Sequence, residues 1–344
     1  MTTLKDVAEK AGVSMKTVSR VVNGDASVRP ETRARVQDCI DELGYVPASA
    51  AQAMRTQRSG VIGLMTDVVA TTPYSVDIVR GVQHSLRAFG KTLIIANTEG
   101  DPVLESRYID VFRSHRVEGA IFATMFHQEV DAPALAGAPL VLANCYASHG
   151  EVRASVLPDD YAGGYEAAAH LLRLGHRRIA MITLNPLLKA TQLRTQAFRE
   201  AMRDHGVTCD DSLLCAGKTG DLDNERCTAY DVALELLNRQ NAPTAIVCGN
   251  DELAVHVYCA ARDANRRVPD DLSVIGYDDF RVVARSLHPA LTTVALPYFE
   301  IGQRAVTELL KPHAETKEDA HPAPILVPCP LVARDSCAEP PTRY

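Results

Sequence analysis

The sequence predicts an all-helical head at the N-terminus, followed by an α/β core of two doubly wound lobes. Residues 1–45 of the 344 contain only short amphipathic helical patterns. Beyond residue 60, short apolar runs alternate with helix-length stretches, which is typical of parallel sheets covered by helices on both faces. Because this second region is large for a single doubly wound sheet, we expect it to form two lobes.

The head contains three predicted helices with recognisable ends. The first begins at Thr3, which forms a capping-box pattern with Asp6, and ends at Gly12. The second follows Ser14, a residue type that caps helix N-termini, and the third has Pro30 at its first position. Apolar residues recur at helical spacing in "TLKDVAEKAG", "SMKTVSRVVN" and "RPETRARVQDCIDELGY".

Seven apolar runs in the core are predicted strands. They are "GVIGLMT", "KTLIIAN", "GAIFAT", "PLVLAN", "RRIAMIT", "TAIVCGN" and "LSVIGYD". Helical patterns such as "YSVDIVRGVQHSLRAFG" and "GYEAAAHLLRLG" alternate with them. Since ligands of such folds bind beyond the carboxyl ends of the strands, polar residues at the ends of these runs are candidate ligand contacts.

The charge of the chain is unevenly distributed. The formal net charge is −7, yet residues 1–58 contain nine Lys or Arg and seven Asp or Glu. A mildly basic head on an acidic body is expected if only the head binds a polyanion such as nucleic acid, although a solvated surface gives the same small excess.

Composition also predicts the compartment. The nine cysteines include no C-x-x-C pair and are odd in number, which favours reduced thiols in the cytoplasm. The first residues lack the basic and apolar regions of an export signal, and no apolar run has the length of a membrane span. We therefore expect a cytoplasmic protein without membrane contact.

Catalytic and cofactor motifs are not found. The sequence contains no P-loop, no G-x-S-x-G, no H-E-x-x-H and no dinucleotide fingerprint. We therefore predict no enzyme activity, no catalytic residues, no metal site and no cofactor.

The turn "AGVS" joins the first two helices in a pattern typical of a helix-turn-helix, whose second helix enters the major groove of DNA. That helix exposes Met15, Lys16 and Arg20. Arg20 can donate two hydrogen bonds to guanine, Lys16 can donate to the same edge, and Met15 can contact a thymine methyl group. The residues suited to phosphate contacts are Ser14, Thr17 and Asn23. From this pattern alone, a protein-docking module is the alternative.

The head resembles the DNA-binding head of the lactose-repressor (LacI/GalR) family, especially in "DVAEKAGVS", "TVSRVVN" and "ELGYVP". The core segments "VLPDDYAGGYEAAAHLLRLGHRRIAMIT", "AIVCGNDELA", "LSVIGYDD", "LHPALTTVALP" and "LVARDSC" resemble the core of the family in the same order. The resemblance implies a DNA-binding transcriptional regulator with a core of the periplasmic-binding-protein fold. It also implies a homodimer on a pseudo-palindromic operator, and the C-terminal tail has no leucine heptads for a tetramer.

The resemblance places DNA-contacting or supporting residues in the head and in a hinge helix. The head positions are Leu4, Ser14, Met15, Lys16, Thr17, Ser19, Arg20, Asn23, Arg29 and Thr32, and the hinge positions are Ala51 and Met54. In this interpretation Met54 inserts into the minor groove at the centre of the operator, and small neighbours such as Ala51 let two hinge helices pack closely. The alternative is a flexible tether.

The resemblance also places a small effector in the cleft between the two lobes. The implied contacts are Tyr74, Asn144, Asp160, Arg194, Asn250 and Asp278. Carboxylates and amides bind vicinal hydroxyls, and an arginine donates in a fork, so this set suits a polyol. For Asn250 and Asp278 the alternative is capping or turn chemistry at the end of a strand.

The predicted domain boundaries follow from these assignments. They are 1–46 for the head, 47–58 for the hinge helix and 59–344 for the core, with an N-terminal lobe of about 59–157 plus 288–317 and a C-terminal lobe of about 158–287 plus 318–344.

The predicted function is that of a repressor of carbohydrate uptake or catabolism genes, controlled by a sugar or sugar derivative. One alternative is a corepressor-dependent regulator that senses a purine, a nucleoside or another metabolite. A sugar-binding or enzymatic protein without a DNA role is the alternative from another class, and the head and the lack of an export signal argue against it.

Overall fold

The computed structural model describes residues 2–45, 59–73, 75–135, 137–312 and 322–341. The chain divides after Gly60 into two compact units, here called the head and the core. The predicted hinge helix, with Ala51 and Met54, and the predicted effector contact Tyr74 lie outside the described residues.

The described residues at the start of the head, 2–45, form the three predicted helices. They are α1 (Leu4–Ala11), α2 (Met15–Val22) and α3 (Pro30–Leu43). The capping box is present, because the Thr3 hydroxyl accepts from the backbone N–H of Asp6 and the Asp6 carboxylate accepts from that of Thr3. Gly12 ends α1 at a φ of 63°, a left-handed conformation that glycine adopts without steric cost. The buried core of the head is Val7, Ala8, Ala11, Val18, Val21, Val36, Cys39 and Ile40.

The first lobe is built on a six-stranded parallel sheet. Its strands are β1 (Val61–Thr66), β2 (Thr92–Asn97), β3 (Ala120–Asp131), β4 (Leu140–His149), β5 (Ala154–Pro158) and β13 (Ile325–Val327), in the order β13-β5-β4-β3-β1-β2. Its helices are α4 (Asp77–Ala88), α5 (Pro102–Ser114) and α11 (Tyr298–Leu310). Two apolar clusters contain side chains of this sheet and its helices. The inner strands are therefore largely buried and read as apolar runs, whereas the edge strands β2 and β13 are partly exposed.

The second lobe has a six-stranded sheet in which only the pairing of β12 with β14 is antiparallel. Its strands are β6 (Ile179–Thr183), β7 (Leu214–Ala216), β10 (Ala245–Cys248), β11 (Ser273–Asp278), β12 (Thr292–Ala295) and β14 (Leu331–Val332), in the order β14-β12-β11-β10-β6-β7. Its helices are α6 (Asp160–Arg173), α7 (Lys189–Asp204), α8 (Ala229–Asn238), α9 (Asp251–Asp263) and α10 (Arg281–Ala284). A two-stranded hairpin, β8 (Lys218–Thr219) and β9 (Arg226–Cys227), follows β7.

The chain crosses between the two lobes three times, after β5, after β12 and after β13. The strand pairing changes two of the predicted lobe boundaries. Thr292–Ala295 pairs with β11 in the second lobe, although we assigned it to the N-terminal lobe, and Ile325–Val327 pairs with β5 in the first lobe. A short strand next to a crossing between the lobes can join the sheet of either lobe. The sequence pattern does not predict which sheet it joins. In the described part of the chain, no helix is both long and apolar enough to cross a membrane.

Helices α4 and α11 approach each other through two glycines. A Cβ atom on Gly81 would lie 2.0 Å from the carbonyl oxygen of Phe299, and a Cβ on Gly302 would lie 2.2 Å from that of Ile78. Each glycine therefore admits the backbone of the other helix. The two helices contribute apolar residues to one hydrophobic cluster with the strands of the first sheet. Their close contact therefore determines how this pair of helices packs against that sheet.

We predict that Gly81→Ala lowers the free energy of unfolding by about 1 to 3 kcal/mol, because the added methyl group meets a backbone carbonyl that cannot rotate away. Urea denaturation measures the change. The control is Gln83→Ala, an exposed position of the same helix, which should change stability by less than about 0.5 kcal/mol. Equal stability of Gly81→Ala and the wild type would mean that the two helices can separate without cost.

Candidate DNA-binding surface and ligand cleft

Helix α2 buries one face in the head and exposes the other. Val18 and Val21 are buried, whereas Met15, Lys16 and Arg20 are exposed. Met15 is 54% exposed. Exposure of a large apolar side chain is consistent with a binding role. The three residues predicted to read bases therefore share one solvent-facing surface.

The ends of α2 are fixed by side-chain hydrogen bonds. The Ser14 hydroxyl accepts from the backbone N–H of Thr17 at 3.1 Å and caps the N-terminus. The Asn23 amide donates to the carbonyl oxygen of Ser19 at 2.5 Å and lies 3.3 Å from its hydroxyl. These predicted DNA contacts thus also have structural partners, which hold the exposed face of the helix in a fixed orientation.

A carboxylate that the sequence did not indicate lies beside Arg20. Arg20 Nε is 3.7 Å from Asp25 Oδ2. The backbone N–H of Ser27 donates to Asp25 Oδ1 at 2.9 Å, and hydrogen bonding to Ser27 lowers the pKa of the Asp25 carboxyl. The carboxylate is therefore ionised at neutral pH and faces the guanidinium.

The other predicted head residues have mixed surroundings. Leu4 is half-buried and packs against the head core, so its side chain supports the helices. Arg29 is exposed at the start of α3 without a capping hydrogen bond, and Thr32 is half-buried in the first turn of that helix.

A cleft lies between the two lobes of the core, at the carboxyl ends of the strands. The described residues predicted to contact an effector all line it, and they are Asn144, Asp160, Arg194, Asn250 and Asp278. The first lobe also contributes Met125, Phe126 and His127. The structure therefore brings together side chains that are more than 100 residues apart in the sequence.

Asp160 and Arg194 form a buried ion pair at the centre of this cleft. Arg194 Nε donates to Asp160 Oδ1 at 2.8 Å, and a terminal guanidinium nitrogen lies 2.7 Å from the same oxygen. The other terminal nitrogen donates to the carbonyl oxygen of Gly249 at 2.8 Å. The guanidinium carbon lies 3.5 Å from the ring centroid of Tyr277. Arg194 is thus held by three different elements of the second lobe.

The pairing decides the protonation of both groups. Burial opposes ionisation of Asp160, but the Arg194 charge and the hydrogen bond from His127 outweigh it and lower the pKa of the carboxyl. Burial likewise disfavours the charged Arg194, and the Asp160 carboxylate outweighs it and raises the pKa of the guanidinium. Both are therefore ionised at neutral pH.

His127 joins this pair from the other lobe. Its Nδ1 lies 2.9 Å from Asp160 Oδ2, and its ring meets Tyr146 edge-on with centroids 5.8 Å apart. Because an ionised carboxylate only accepts hydrogen bonds, Nδ1 carries the hydrogen and donates it to Asp160. The His127–Asp160 hydrogen bond connects β3 of the first lobe with α6 of the second.

Two of the predicted amide contacts have structural partners. Asn144 has a φ of 61°, and its Nδ2 donates to the carbonyl oxygens of Thr124 and Met125 at 3.0 and 2.9 Å. Asn250 Oδ1 accepts from the backbone N–H of Leu253 at 2.9 Å and caps α9. The capping alternative for Asn250 is thus present in the structure, together with its position on the cleft wall.

Asp278 shares its surroundings with a second carboxyl, Asp251. Asp251 accepts from the Phe280 backbone N–H at 2.7 Å and from the Thr293 hydroxyl at 2.6 Å. Burial raises the pKa of Asp251 to about 7. Burial and the nearby Asp251 also raise the pKa of Asp278. The two carboxyls therefore retain a proton at a higher pH than an exposed aspartate does.

The hairpin β8–β9 places a lysine in the cleft. Lys218 Nζ lies 3.1 Å from Glu252 Oε2 and 3.8 Å from Glu225 Oε2. Burial disfavours the charged ammonium, but the hydrogen bond to Glu252 outweighs it and raises the pKa of Lys218. All three side chains line the cleft.

Comparisons with known proteins identify the family of both regions of the chain. Residues 3–48 match the model of the bacterial regulatory proteins of the lacI family, and residues 168–337 match that of a periplasmic binding protein-like domain. The sucrose operon repressor of Shigella flexneri is 35% identical over 339 residues, which cover 96% of this chain and 99% of the repressor. This chain belongs to the LacI family. It is a DNA-binding transcriptional regulator, as the head sequence predicted.

Two further LacI-family proteins match over almost the whole chain. The transcriptional repressor PurR of Proteus mirabilis is 34% identical, and the match covers 99% of this chain and 98% of PurR. The crystal structure of the Lac repressor dimer bound to operator and the anti-inducer ONPF aligns with a TM-score of 0.77 and 25% identity, over 98% of this chain and 99% of that one. The predicted fold of head and two-lobed core is confirmed.

Sequence reasoning missed four residues of the cleft that carry acidic or basic side chains. They are His127, Lys218, Glu225 and Glu252. His127 belongs to a strand whose pairing register shifts between Ala123 and Gln128, so strand alternation does not predict its direction. Lys218 and Glu225 belong to a short hairpin without an apolar pattern. Glu252 directly follows the residues "GND" at the end of an apolar run. It is the only one of the four whose place near a strand end could be read from the sequence.

We predict that Asp160→Asn lowers the free energy of unfolding by about 3 to 5 kcal/mol, because it leaves the Arg194 charge buried without its carboxylate. The double variant with Arg194→Met should recover most of this loss. A urea double-mutant cycle measures both. The control is Glu166→Gln, which removes a carboxylate from an exposed pair with Arg173 on α6 and should cost at most about 1 kcal/mol. No recovery in the double variant would show that the Arg194 charge is not the cause.

We predict that Asp251 makes stability fall as pH rises from about 4 to about 7. An unfolded aspartate releases its proton near pH 4, whereas native Asp251 holds it to about pH 7. The native state thus binds more protons in this window, and the free energy of unfolding falls by up to about 1.4 kcal/mol per pH unit.

Asp251→Asn should reduce this slope in urea denaturation measured across the window. The control is Asp270→Asn at an exposed position, for which the wild-type slope should persist. An unchanged slope in Asp251→Asn would contradict the raised pKa.

Proposed function

We propose that this LacI-family regulator represses genes of carbohydrate uptake or catabolism, and that a small sugar-like effector in the cleft controls its affinity for an operator. It acts in the cytoplasm as a homodimer on a pseudo-palindrome. The observation that carries the effector proposal is the cleft itself, where carboxylates of the second lobe and amides of both lobes surround one space. These groups are the natural partners of vicinal hydroxyls. The name of the related sucrose operon repressor points to the same class of genes.

The DNA-binding proposal assigns base reading to the exposed face of α2. Arg20 would pair with guanine, Lys16 would donate to the same groove edge, and Met15 would contact a thymine methyl group. Ser14, Thr17, Ser19, Asn23, Arg29 and Thr32 would contact or support the phosphate backbone, with Leu4 as apolar support. For the hinge, the proposal rests on sequence alone: Met54 is the minor-groove wedge and Ala51 the close helix contact.

Control by an effector requires that the ligand distinguish two arrangements of the core. The cleft is lined from both lobes, so a ligand that contacts both walls favours the closed arrangement. The change in operator affinity is limited by the differential binding of the ligand, typically about 1 to 3 kcal/mol.

The second candidate is a corepressor-dependent regulator that senses a purine or a nucleoside. The observation that favours it is the pair of aromatic residues in the cleft wall, Phe126 and Tyr298, because aromatic rings stack on flat bases. Titration of operator-bound protein with sugars and with purines separates the two candidates, since only the true effector class changes the operator affinity.

We predict that Arg20→Ala weakens binding to the operator by about 1 to 3 kcal/mol and relaxes its sequence preference. The operator is first isolated by capturing fragments of the source genome on the purified protein, which should recover a palindrome near transport or sugar-metabolism genes. Fluorescence anisotropy then compares the operator with random DNA at fixed salt.

The control for lost charge is Arg35→Ala, which removes an exposed cation from α3. This variant should lower the affinity for both DNAs equally. If Arg20→Ala did the same, Arg20 would be a phosphate contact. Failure to capture any specific site at moderate salt would contradict the proposed function itself.

A further inference from the structure

The charged groups that line the cleft are mostly acidic. The acidic residues are Asp160, Glu225, Glu252 and Asp278, and the basic residues are His127, Arg194 and Lys218. The carboxyl of Asp278 has a raised pKa because of burial and the neighbouring Asp251. Asp160 is paired with Arg194 and His127, whereas Glu225 and Glu252 both face the single ammonium of Lys218, so the charge around Lys218 is negative.

Arg194 is already committed to protein partners. Two of its nitrogens bind Asp160 and the third binds the Gly249 carbonyl oxygen at 2.8 Å. Its side chain is 5% exposed, and that of Asp160 is fully buried. An anionic ligand would have to compete with a buried carboxylate that cannot move into water, so Arg194 does not form an anion site.

Lys218 is the second cation, and it lies between two carboxylates. Its ammonium is 3.1 Å from Glu252 and 3.8 Å from Glu225. The side chains of Lys218 and Glu225 are only 20% and 19% exposed, so solvent screens this pair weakly, whereas the side chain of Glu252 is 40% exposed. A ligand phosphate that approached Lys218 would therefore also meet two like charges.

The cleft does offer hydrogen-bond partners to a neutral ligand. Glu225 Oε1 is shielded from solvent and has no hydrogen-bond partner within the described ranges. Nε2 of His127 makes no hydrogen bond to another described residue, while Nδ1 donates to Asp160. Because a hydroxyl group can both donate and accept, the hydroxyls of a polyol can satisfy both atoms without adding charge.

We infer that the cleft selects uncharged, hydroxyl-rich effectors and excludes phosphorylated or carboxylated ones, with Glu225 and Glu252 acting as the excluding groups around Lys218. The inference rests on the proposed function for the role of the cleft, and it narrows the class of effector. It also assigns a specificity role to three residues that no sequence motif marked.

The test uses the full-length protein without DNA and matched probes. Thermal shift and isothermal titration calorimetry compare glucose with glucose 6-phosphate, fructose with fructose 6-phosphate, ribose with ribose 5-phosphate, and inorganic phosphate with chloride at equal ionic strength. In the wild type, any binding should occur with the neutral sugar of a pair. Inorganic phosphate should shift the melting temperature and release heat no more than chloride does.

The variant Glu225→Gln/Glu252→Gln frees Lys218 and should gain affinity for inorganic phosphate by at least tenfold. The single variant Glu252→Gln provides the same test, with a smaller gain, if the double variant folds poorly. The control is Glu235→Gln, an exposed carboxylate that pairs with Arg239 on α8, and it should bind phosphate as weakly as the wild type.

Two results would overturn the inference. One is wild-type binding of phosphate or of a phosphorylated sugar in preference to its neutral partner, with the preference lost in Lys218→Met. The other is a folded Glu225→Gln/Glu252→Gln protein that gains no phosphate affinity. Operator binding by the same protein preparation separates this inference from the proposed function. If the protein binds its operator and its cleft binds anions, only the inference is overturned. If the protein shows no specific operator binding, the proposed function is overturned.

Discussion

The buried ion pair between Asp160 and Arg194 determines how the core of this regulator is arranged around its cleft. Asp160 is the first residue of α6, directly after the chain crosses from the first lobe. A fully buried carboxylate is stable only when its charge is compensated. Arg194 from α7 supplies the charge, and His127 from β3 supplies a hydrogen bond to the other oxygen. One side chain thereby fixes the relation between three elements of two lobes.

The glycines beside this pair explain how the elements come close enough. A Cβ on Gly164 would lie 2.8 Å from the Cα of Arg194, and a Cβ on Gly163 would lie 2.3 Å from the hydroxyl oxygen of Tyr277. Tyr277 in turn lies under the guanidinium. The "AGG" of α6 thus serves the packing of α7 and β11 against that helix, so the same short segment positions the carboxylate and admits its partners.

The sequence predicts the elements of this protein better than the contacts between them. Helical periodicity and capping residues such as Thr3 and Ser14 are local, so the head could be predicted from them, as could the apolar core strands. His127 and Lys218 could not, because their position depends on a register shift in β3 and on a hairpin without an apolar pattern. The short strands at the crossovers have no such local signal either. β13 pairs with β5, more than 100 residues earlier in the chain. β12 pairs with the nearby β11, but it is too short for its pattern to show which sheet it joins.

The bond between His127 and Asp160 also limits which ligands can act as effectors. Separation of the lobes would break it and leave a buried carboxylate oxygen without its donor, so the closed arrangement is already favoured by the protein itself. A ligand changes the balance between open and closed states only through a difference in its binding to the two. Contacts to residues of the second lobe alone are the same in both states. An effector therefore needs contacts on the first-lobe wall, where His127 and Asn144 lie, and a ligand that reaches only Asp278 and Asn250 would bind without switching.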